Sequence, residues 1–520
     1  MKRGLLIVTV MLLAGQARAT GFTDLGQDIA PRRGTGITLD GSLRTRGEAL
    51  WNLDLDRGLT PSGQALFPTP LGDPGSQLLT HADMRLRTDL SIYAPGGGVA
   101  VKVRMDVLDN VTQGSTAEGI PSASSTQTSP DAPIRIRRAY GEALTPFGLV
   151  VAGRVGSQWG LGMLANGGDC ADCDSGDSAD RVAFITPLAG LIWAVAFDIS
   201  ASGPVGARKD GARGIDLGRS DDVHSVTLAV LSWRNDRARR RRARAGKSTF
   251  EWGAYFSHRW QSDDVPADYL PVAQPRMTFS AADVMARGFR ATALDGWARL
   301  TTPRLRIEAE AALLIATVDQ PSLIPGVLLD GPVRSTQIGA ALESEYGRAQ
   351  DRFSAGLDLG FASGDPAPGF GAFPQVGAAA PQPGDLDGAQ ASPPGDLRVD
   401  NFRFHPDYRI DRILFHEIIG TVTDAFYARP HARVTLLRGG PGELRAAAAA
   451  IASFAVEPTS TPGNARPLGV ELDPTLLYES RDGFQIAFEY ALLVPLAGLD
   501  GSAQSATVAQ LARLRLGYLF

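Results

Sequence analysis

Cysteine, aromatic residues and long apolar runs are scarce in this sequence, and these shortages exclude whole classes of protein. Only 2 of the 520 residues are cysteine, which is too few for a disulfide framework. After residue 20 the longest apolar run, Ala446–Ala455, is about half as long as a membrane-spanning helix requires. A polytopic helical membrane protein is therefore excluded. The hydrophobic fraction of 44% also excludes an intrinsically disordered chain.

Excess positive charge and catalytic motifs are lacking as well. The net charge is −5, whereas a nucleic-acid-binding protein needs an excess of basic residues. None of the 6 histidines stands in an HExxH motif, and there is no GxSxG and no glycine-rich phosphate-binding loop. The sequence therefore predicts a protein that is not an enzyme and binds no nucleic acid.

The N-terminus has the composition of a secretory signal peptide. Lys2 and Arg3 precede an apolar stretch from Leu5 to Ala14, and small residues at 17 and 19 fit the cleavage pattern. We predict a signal peptide at residues 1–19 and a short N-terminal periplasmic segment at residues 20–36. Export leaves a soluble periplasmic protein, a secreted protein and an outer-membrane barrel as candidates.

The rest of the chain alternates apolar and charged residues with a period of two. Along residues 39–53 one phase is apolar or small, and the other carries Arg44, Arg46 and Glu48. Successive side chains of a strand point to opposite faces, so this pattern predicts a strand with one apolar and one charged face. A soluble sandwich also alternates, but its strands are about half as long as these. The length favours strands that cross a membrane.

The last strand supports this interpretation. Tyr518 and Phe520 share the apolar phase of residues 512–520, and a terminal strand ending in Phe resembles the signature of bacterial outer-membrane barrels. The resemblance implies that the barrel assembly machinery recognises this strand. Pairing between the last and first strands would leave no unpaired strand edge in lipid.

Extending the same test predicts an all-β fold, a transmembrane antiparallel up-and-down barrel of about 18 strands over residues 37–520. Short turns alternate with long loops, of which 364–424 is the largest. The turn at 235–248 is strongly basic and is expected to face anionic lipid. Trp233, Phe250, Trp252 and Trp260 are expected in the aromatic girdles at the membrane interfaces. The predicted strands are 37–54, 78–93, 99–111, 134–144, 149–158, 181–187, 191–200, 223–234, 249–261, 289–302, 304–318, 334–346, 352–363, 425–437, 444–455, 467–479, 483–494 and 506–520.

The inward phase predicts a charged pore. Barrel closure makes the first three strands and the last one neighbours, and their inward phase is rich in arginine, whereas the opposite wall is acidic. We interpret the arginines as a path for polar, anionic solutes or oligosaccharides. In the alternative, interior arginines and carboxylates only pair with one another in a filled lumen. The predicted pore-lining residues are Arg44, Arg46, Arg85, Arg87, Lys102, Arg104, Arg154, Arg513, Arg515, Glu308, Glu310, Glu343, Glu345 and Asp358.

Four segments carry a family resemblance: the arginine-rich first strands, the RRAYGE segment at Arg137–Glu142, the stretch Gly153–Gly162 that contains QWGLG, and the hairpin at 468–498. In these segments the chain resembles the alginate-export family of outer-membrane porins. The resemblance implies a monomeric eighteen-stranded barrel that passes an anionic polysaccharide through an Arg-lined lumen. We take from it the architecture and the Arg-lined path, not the substrate.

Two long loops hold further features. Cys170 and Cys173 are expected to form a disulfide in an oxidising compartment. In the loop 364–424, residues 364–398 are expected to be mobile. Residues 401–423 are apolar enough to pack, either by folding into the pore mouth or capping it, or as an external loop without a gating role. No cofactor is predicted except calcium as a second interpretation of the cysteine loop. The calcium candidates are Asp169, Asp172, Asp174 and Asp177.

Together these patterns predict a monomeric porin or channel of the bacterial outer membrane. Its expected partners are membrane lipid, the assembly machinery that binds the Phe520 strand, and a polar or anionic solute. A structural or closed barrel is the first alternative, and an outer-membrane hydrolase is the second.

Overall fold

The alternating segments form long antiparallel strands, and each strand pairs with the next one along the chain. The last strand also pairs with the first, so the 18-stranded sheet closes on itself and the predicted barrel is confirmed. In the computed structural model the barrel strands are β1 Gly36–Trp51, β2 Leu78–Tyr93, β3 Val99–Thr112, β4 Arg135–Thr145, β5 Gly148–Gly156, β6 Ser178–Leu188, β7 Leu191–Ala201, β10 Val223–Ser232, β11 Thr249–Gln261, β12 Phe289–Thr301, β13 Leu305–Val318, β14 Val333–Tyr346, β15 Phe353–Ala362, β16 Ala425–Gly439, β17 Gly442–Ala455, β18 Pro467–Ser480, β19 Phe484–Pro495 and β20 Ala509–Leu519.

The remaining elements are short. β8 Gly206–Lys209 and β9 Arg213–Asp216 form a separate hairpin, and the helices are α1 Gly21–Asp24, α2 Asp236–Arg244, a π-helical turn Leu414–Ile418 and 3-10 turns Pro458–Ser460 and Ala497–Leu499. Within the described part of the chain, no helix is long and apolar enough to cross a bilayer.

The structure describes residues 21–520 except 27, 32–33, 64, 73–76, 114–133, 204–205, 210–212, 265–283, 323–326, 349–350, 368, 371–381, 383, 387–390, 392, 394 and 502–503. The predicted signal peptide at 1–19 lies outside the described residues. Much of 364–398, for which mobility is expected, lies outside them as well.

The two phases of the strands face different environments. Phe197 and Leu228 are 43% and 48% exposed, whereas their chain neighbours Ala196 and Thr227 are each only 1% exposed. The apolar phase therefore forms the outer surface, and the other phase faces the interior. A closed barrel satisfies every strand edge, which a sheet in lipid requires.

The C-terminal residue helps to close the barrel. Gly41 donates its N–H to the carbonyl oxygen of Phe520 at 3.0 Å, and Phe520 returns a hydrogen bond to Gly41 at 3.1 Å. The Phe520 ring covers Gly41 so closely that a Cβ there would lie 2.5 Å from the ring. A glycine at this position of β1 is thus required by the terminal aromatic ring.

One predicted girdle residue is placed differently. Phe250 and Trp252 are exposed on the outer surface, as expected for an interface girdle. Trp233 instead continues the inward phase of β10 and packs against an inner cluster that includes Leu231 and Trp159. The assignment of Trp233 to the girdle is therefore wrong, because the indole finds apolar partners inside the barrel.

Three segments turn back into the barrel from its ends. The first two are residues 157–177, called the β5–β6 loop, and residues 401–423, called the β15–β16 loop. Phe402, Ile413 and Leu414 are at most 1% exposed and pack against the inner wall, so the β15–β16 loop lies inside the lumen. The third is the N-terminal segment, where Phe22 packs against Leu149 of β5 in the inner cluster.

Candidate functional site

The predicted arginine wall faces the barrel interior. In β1, Arg44 lies opposite Arg85 of β2, and Arg46 lies opposite Arg515 of β20. Arg44, Arg85 and Arg513 are only 3%, 1% and 3% exposed. Guanidinium groups buried this deeply need acidic partners, because an uncompensated buried charge costs several kcal/mol, about 3–5 by mutation.

Part of the compensation comes from carboxylates on the same or adjacent strands. The pairs are Arg46 with Asp83 at 2.7 Å, Arg87 with Asp106 at 2.7 Å, Lys102 with Glu142 of β4 at 3.2 Å, Arg104 with Asp89 at 2.7 Å, Arg513 with Glu48 at 2.5 Å, and Arg515 with Glu489 of β19 at 3.1 Å. The proximity of these partners follows from strand register alone.

The rest of the compensation comes from the β5–β6 loop. Asp172 contacts Arg44 at 2.9 Å and Arg513 at 3.5 Å, and Asp174 contacts Arg85 at 2.8 Å. Arg85 also donates to the carbonyl oxygen of Cys173 at 2.6 Å. The loop therefore brings two acids and a backbone carbonyl against the arginine wall, and its Cys170 and Cys173 are joined by a disulfide.

The charge of Asp172 depends on these arginines. Burial by itself would raise the pKa of the Asp172 carboxyl, but Arg409, Arg515 and Arg513 lower that pKa well below its usual range. Asp172 is thus ionised at every working pH. The β5–β6 loop is held to the wall by permanent charge.

The QWGLG motif anchors the same loop to the opposite wall. Trp159 donates from Nε1 to Asp295 of β12 at 2.8 Å, and the Leu161 N–H donates to Glu310 of β13 at 2.5 Å. Gly160 has a φ of 49° and lies so close to Glu310 that a Cβ would be 2.5 Å from its carboxylate. Glu310, predicted to line the pore, instead accepts backbone N–H groups that would otherwise be unpaired.

A second wall carboxylate anchors the β15–β16 loop. Glu471 of β18 accepts the backbone N–H groups of Arg412 and Ile413, each at 2.8 Å, and of Leu414 at 3.0 Å. These N–H groups lead into the π-helical turn, where backbone donors lack partners within the helix. Glu471 is 2% exposed and was not predicted as a site residue.

The two loops also dock on each other. Asp407 of the β15–β16 loop accepts the backbone N–H of Asp174 at 3.0 Å and of Ser175 at 2.9 Å. Arg409 reaches Asp172 at 3.1 Å and Asp174 at 3.3 Å. Together the loops form a cross-piece that joins the arginine wall to β12 and β13 through the β5–β6 loop and to β18 through the β15–β16 loop.

The wall predicted to be acidic carries bases that neutralise it. The pairs are Arg306 with Glu308 at 2.5 Å and with Glu343 at 3.1 Å, Arg433 with Glu345 at 3.3 Å, and Arg429 with Asp358 at 2.6 Å. The expected contrast between a basic wall and an acidic wall is therefore weaker than the sequence suggests.

Arg154 is the one predicted pore-lining residue on the wrong face. On β5 the buried phase is Leu149, Val151 and Val155, so Arg154 points outward and is 51% exposed, where it pairs with Asp180 at 2.8 Å. The error has a physical cause, since the inner face of β5 packs against Phe22 and Trp159 and is itself apolar. Apolar residues therefore occupy both phases of β5.

Several interior charges were missed. Arg181 of β6 is buried and pairs with Asp198 at 2.6 Å, in the inward phase of the neighbouring strand. Arg429 and Arg433 alternate with the outward Ala428 and Ala432, which is the period-two signal that identified Arg44 and Arg46. No local pattern identifies Arg409 or Arg412, because both lie in the irregular β15–β16 loop.

The four calcium candidates each contact other groups of the protein. Asp172 and Asp174 contact arginines, Asp169 contacts Arg104 and Arg138, and Asp177 accepts the Asn166 N–H at 3.3 Å. Calcium requires six to eight oxygen ligands that converge on one point. Asp172 and Asp174 share Arg44 and Arg409, whereas Asp169 and Asp177 contact other groups, so calcium binding by this loop stays a prediction.

Comparisons with known proteins find only distant similarity to solved structures, among them outer-membrane proteins. No protein-family model matches the sequence, and no curated protein matches it. The chain is similar to OccK9 (OpdG) of Pseudomonas aeruginosa, with a TM-score of 0.47, 12% identity and coverage of 93% of this chain and 98% of that one. For OpdK of the same organism the TM-score is 0.45 and the identity 11%, with coverage of 93% of this chain and 98% of that one. For the outer membrane channel DcaP of Acinetobacter baumannii the TM-score is 0.38 and the identity 10%, with coverage of 94% and 98%. At this level of similarity, function has to be inferred from this chain's own residues.

The architecture determines the location of the protein. An even-numbered closed barrel with an apolar outer surface, a polar interior, short turns at one end and long loops at the other is the form that spans the bacterial outer membrane. The protein is an outer-membrane barrel. The short turns mark its periplasmic end.

Proposed function

We propose that the barrel is a channel for polar, anionic solutes and that the β5–β6 and β15–β16 loops narrow its lumen. The observation that carries the proposal is a strip of the inner wall in contact with water. Glu345, Arg429 and Arg433 face inward and are 35%, 28% and 24% exposed, whereas the wall arginines behind the loops are almost completely buried. A barrel of 16–18 strands has room for such an aqueous path.

The arginines that select the solute are, in this proposal, those that water reaches. Arg429, Arg433 and Arg515 belong to β16 and β20, and Arg412 of the β15–β16 loop contacts Asp473 of β18, between those two strands, at 3.3 Å. Arginine offers forked donors that suit carboxylate and phosphate groups. Each of these arginines has a carboxylate partner, which keeps its hold on a passing anion weak enough for release.

The deeply buried arginines have a different role in this proposal. Arg44, Arg85 and Arg513 hold the β5–β6 loop through Asp172 and Asp174 and do not contact solute. The path inferred from the sequence thus narrows to Arg515 of β20 on the arginine wall and extends from there to β16. We also propose, from the resemblance to the alginate-export family, that the anionic solutes include oligosaccharides.

A closed structural barrel is the second candidate. Two loops and the N-terminal segment fill part of the lumen, where their residues Phe22, Phe402 and Ile413 are buried. This filling is the specific observation that favours a closed barrel. Conductance separates the two candidates, because a sealed barrel conducts no ions.

The experiment is single-channel recording in planar bilayers under a salt gradient. The variant Arg429→Gln/Arg433→Gln/Arg515→Gln should shift the reversal potential toward cation preference at 0.1 M salt, where the Debye length is about 10 Å. The matched control Arg154→Gln/Arg290→Gln/Arg398→Gln removes three exposed, carboxylate-paired arginines from outside the lumen and should leave the potential unchanged. Equal potentials for both triple variants would refute the assignment of these three residues.

Further parts of the proposal concern partners and chemistry. We propose that the chain works as a monomer without catalytic activity and that the assembly machinery recognises β20 with its terminal Phe520. Gel filtration in detergent tests the first point. Deletion of Phe520 tests the last, and it should reduce the folded fraction in the outer membrane.

A further inference from the structure

The connection between β10 and β11 is the most basic segment of the chain. Residues 234–251 contain eight basic residues and only two acidic ones, Asp236 and Glu251. The other periplasmic connections are turns of a few residues, whereas this one contains the helix α2. Neither the fold nor the proposed channel accounts for such a concentration of positive charge.

Local sequence explains why this segment is helical. Asn235 caps the helix by accepting the Ala238 N–H at 2.9 Å, Asp236 lies in the first turn, and Gly246, with a φ of 71°, ends the helix. Arginines in the last turn interact favourably with the helix dipole. These caps define both ends of the helix, and none of its residues is buried.

Contacts at the base of α2 place it on the inner side of the barrel rim. Arg239 lies over the ring of Trp233 at 5.8 Å and reaches Glu251 at 3.3 Å, and the Arg234 N–H donates to Glu251 at 2.8 Å. Trp233 belongs to the inner cluster, and Glu251 is a fully buried inward residue that also holds Arg299. The helix is therefore tied to groups that face the lumen.

One face of the helix remains open. Arg237, Arg241 and Arg244 are exposed, and none of their guanidinium groups has a hydrogen-bond or ion-pair partner among the residues that the structure describes. Their spacing of four and three residues puts them on one helical face, with neighbouring Cβ atoms about 5–6 Å apart. By contrast, Arg239 and Arg242 turn toward Glu251 and the Ser248 carbonyl.

We propose that this face of α2 is a docking site, at the periplasmic mouth of the lumen, for a short linear anion that carries several carboxylates. The inference rests on the proposed channel function and names the form of its solute. The charge complementarity between a row of guanidinium groups and a row of carboxylates supports it, and the tie to lumen-facing Trp233 and Glu251 favours a solute over membrane phospholipid. Several guanidinium groups in a row hold a polyvalent anion more firmly than a monovalent one.

The experiment measures binding directly. The full barrel in neutral detergent is titrated by calorimetry at low salt with a blocked tetra-aspartate peptide, and with tetra-asparagine as the uncharged probe of the same shape. Arg237→Gln/Arg241→Gln/Arg244→Gln should weaken tetra-aspartate binding at least about tenfold, and the corresponding triple lysine variant should restore most of it. Tetra-asparagine should not bind measurably.

The control keeps the net charge of the variant. Arg304→Gln/Arg348→Gln/Arg481→Gln removes three exposed arginines from three other periplasmic turns and should bind tetra-aspartate within about twofold of the unchanged protein. If tetra-aspartate binding weakened equally in this control, net charge alone would explain the effect and the proposal would be wrong. Unchanged binding in the α2 variant would overturn it as well.

Two further measurements complete the test. Native mass spectrometry distinguishes a solute site from a lipid contact, and bilayer recording distinguishes a failure of the docking site from a failure of the channel. If the α2 variant lost bound phosphatidylglycerol in native mass spectrometry and kept its affinity for tetra-aspartate, the helix would be a lipid contact and the proposal would be wrong. A barrel that is silent in bilayers but binds tetra-aspartate through α2 would reject the channel and retain the docking site. A conducting barrel whose binding ignores α2 would reject the docking site alone.

Discussion

The double variant Asp172→Asn/Asp174→Asn tests how the β5–β6 loop is held. Both carboxylates contact Arg44 and Arg409, and Asp174 also contacts Arg85. The amides keep the size of the side chains and remove two negative charges. The strand hydrogen bonds of the barrel are untouched, so the effect should be confined to the loop and the lumen.

The magnitude follows from burial. Removing one partner of a buried ion pair costs about 3–5 kcal/mol, because the other charge stays buried without compensation. The side chain of Arg44 is 4% exposed, so it belongs to this class. The two substitutions share Arg44 and Arg409 and therefore will not add. A total of about 3 kcal/mol would shift the equilibrium between docked and detached loop by roughly 100-fold.

Bilayer recording provides the assay. The variant should conduct more than the unchanged protein at about 1 M salt, because the loop detaches from the arginine wall. It should become more anion-selective at about 0.1 M salt, because two acids are lost. Asp180→Asn, which breaks the outward and exposed pair with Arg154, should change neither quantity. Identical conductance and selectivity in the double variant would refute the docking of the loop by these charges.

The pH dependence of the docking follows from the same contacts. Because the pKa of Asp172 lies below its ordinary value of 3.8 in the folded protein, its contribution is fully present above that value. It is lost only as the pH falls through the lowered pKa. Conductance of the unchanged protein should therefore be constant from about pH 5 to 8 and increase only in strong acid.

Three other predictions follow from the fold and the loops. Glu471→Ala should make the channel current noisier, since three backbone N–H groups lose their acceptor, whereas Glu471→Gln should change it less. On β11, Phe256→Arg on the lipid side should destabilise the barrel by about 2–4 kcal/mol in urea titrations, and Ser257→Arg on the lumen side should not. Cys170 and Cys173 should react with maleimide in denatured protein only after reduction.

The strands could be predicted from sequence because lipid outside and polar contacts inside impose a period of two on each segment separately. Arg44 and Arg46 carry that signal within β1, and the closure of β20 on β1 follows from the terminal Phe520. The rule failed on β5, where Arg154 faces outward. There the N-terminal segment supplies Phe22 as an apolar partner inside the barrel, and nothing within β5 indicates it.

The loops could not be predicted because their partners are remote in sequence. Asp174 and Arg44 are 130 residues apart, and Leu414 and Glu471 are 57 apart. A carboxylate on a strand looks the same in sequence whether it faces water or accepts backbone N–H groups from a loop. Glu310 was for that reason assigned to the pore, and Glu471 was not assigned at all.

Because charged partners can be remote in sequence, the charges on one wall of the barrel do not by themselves predict the electric field in the lumen. The arginines of β1 and β2 are compensated by Asp172 and Asp174, which arrive on a loop from another part of the barrel. The carboxylates of β14 and β15 are compensated by arginines that project from β13 and β16. Ions in the lumen respond only to the charge left after these pairings. In the channel that we propose, selectivity is therefore decided by side chains that remain accessible to solvent, such as Arg429 and Arg433, and not by the longest row of arginines in the sequence.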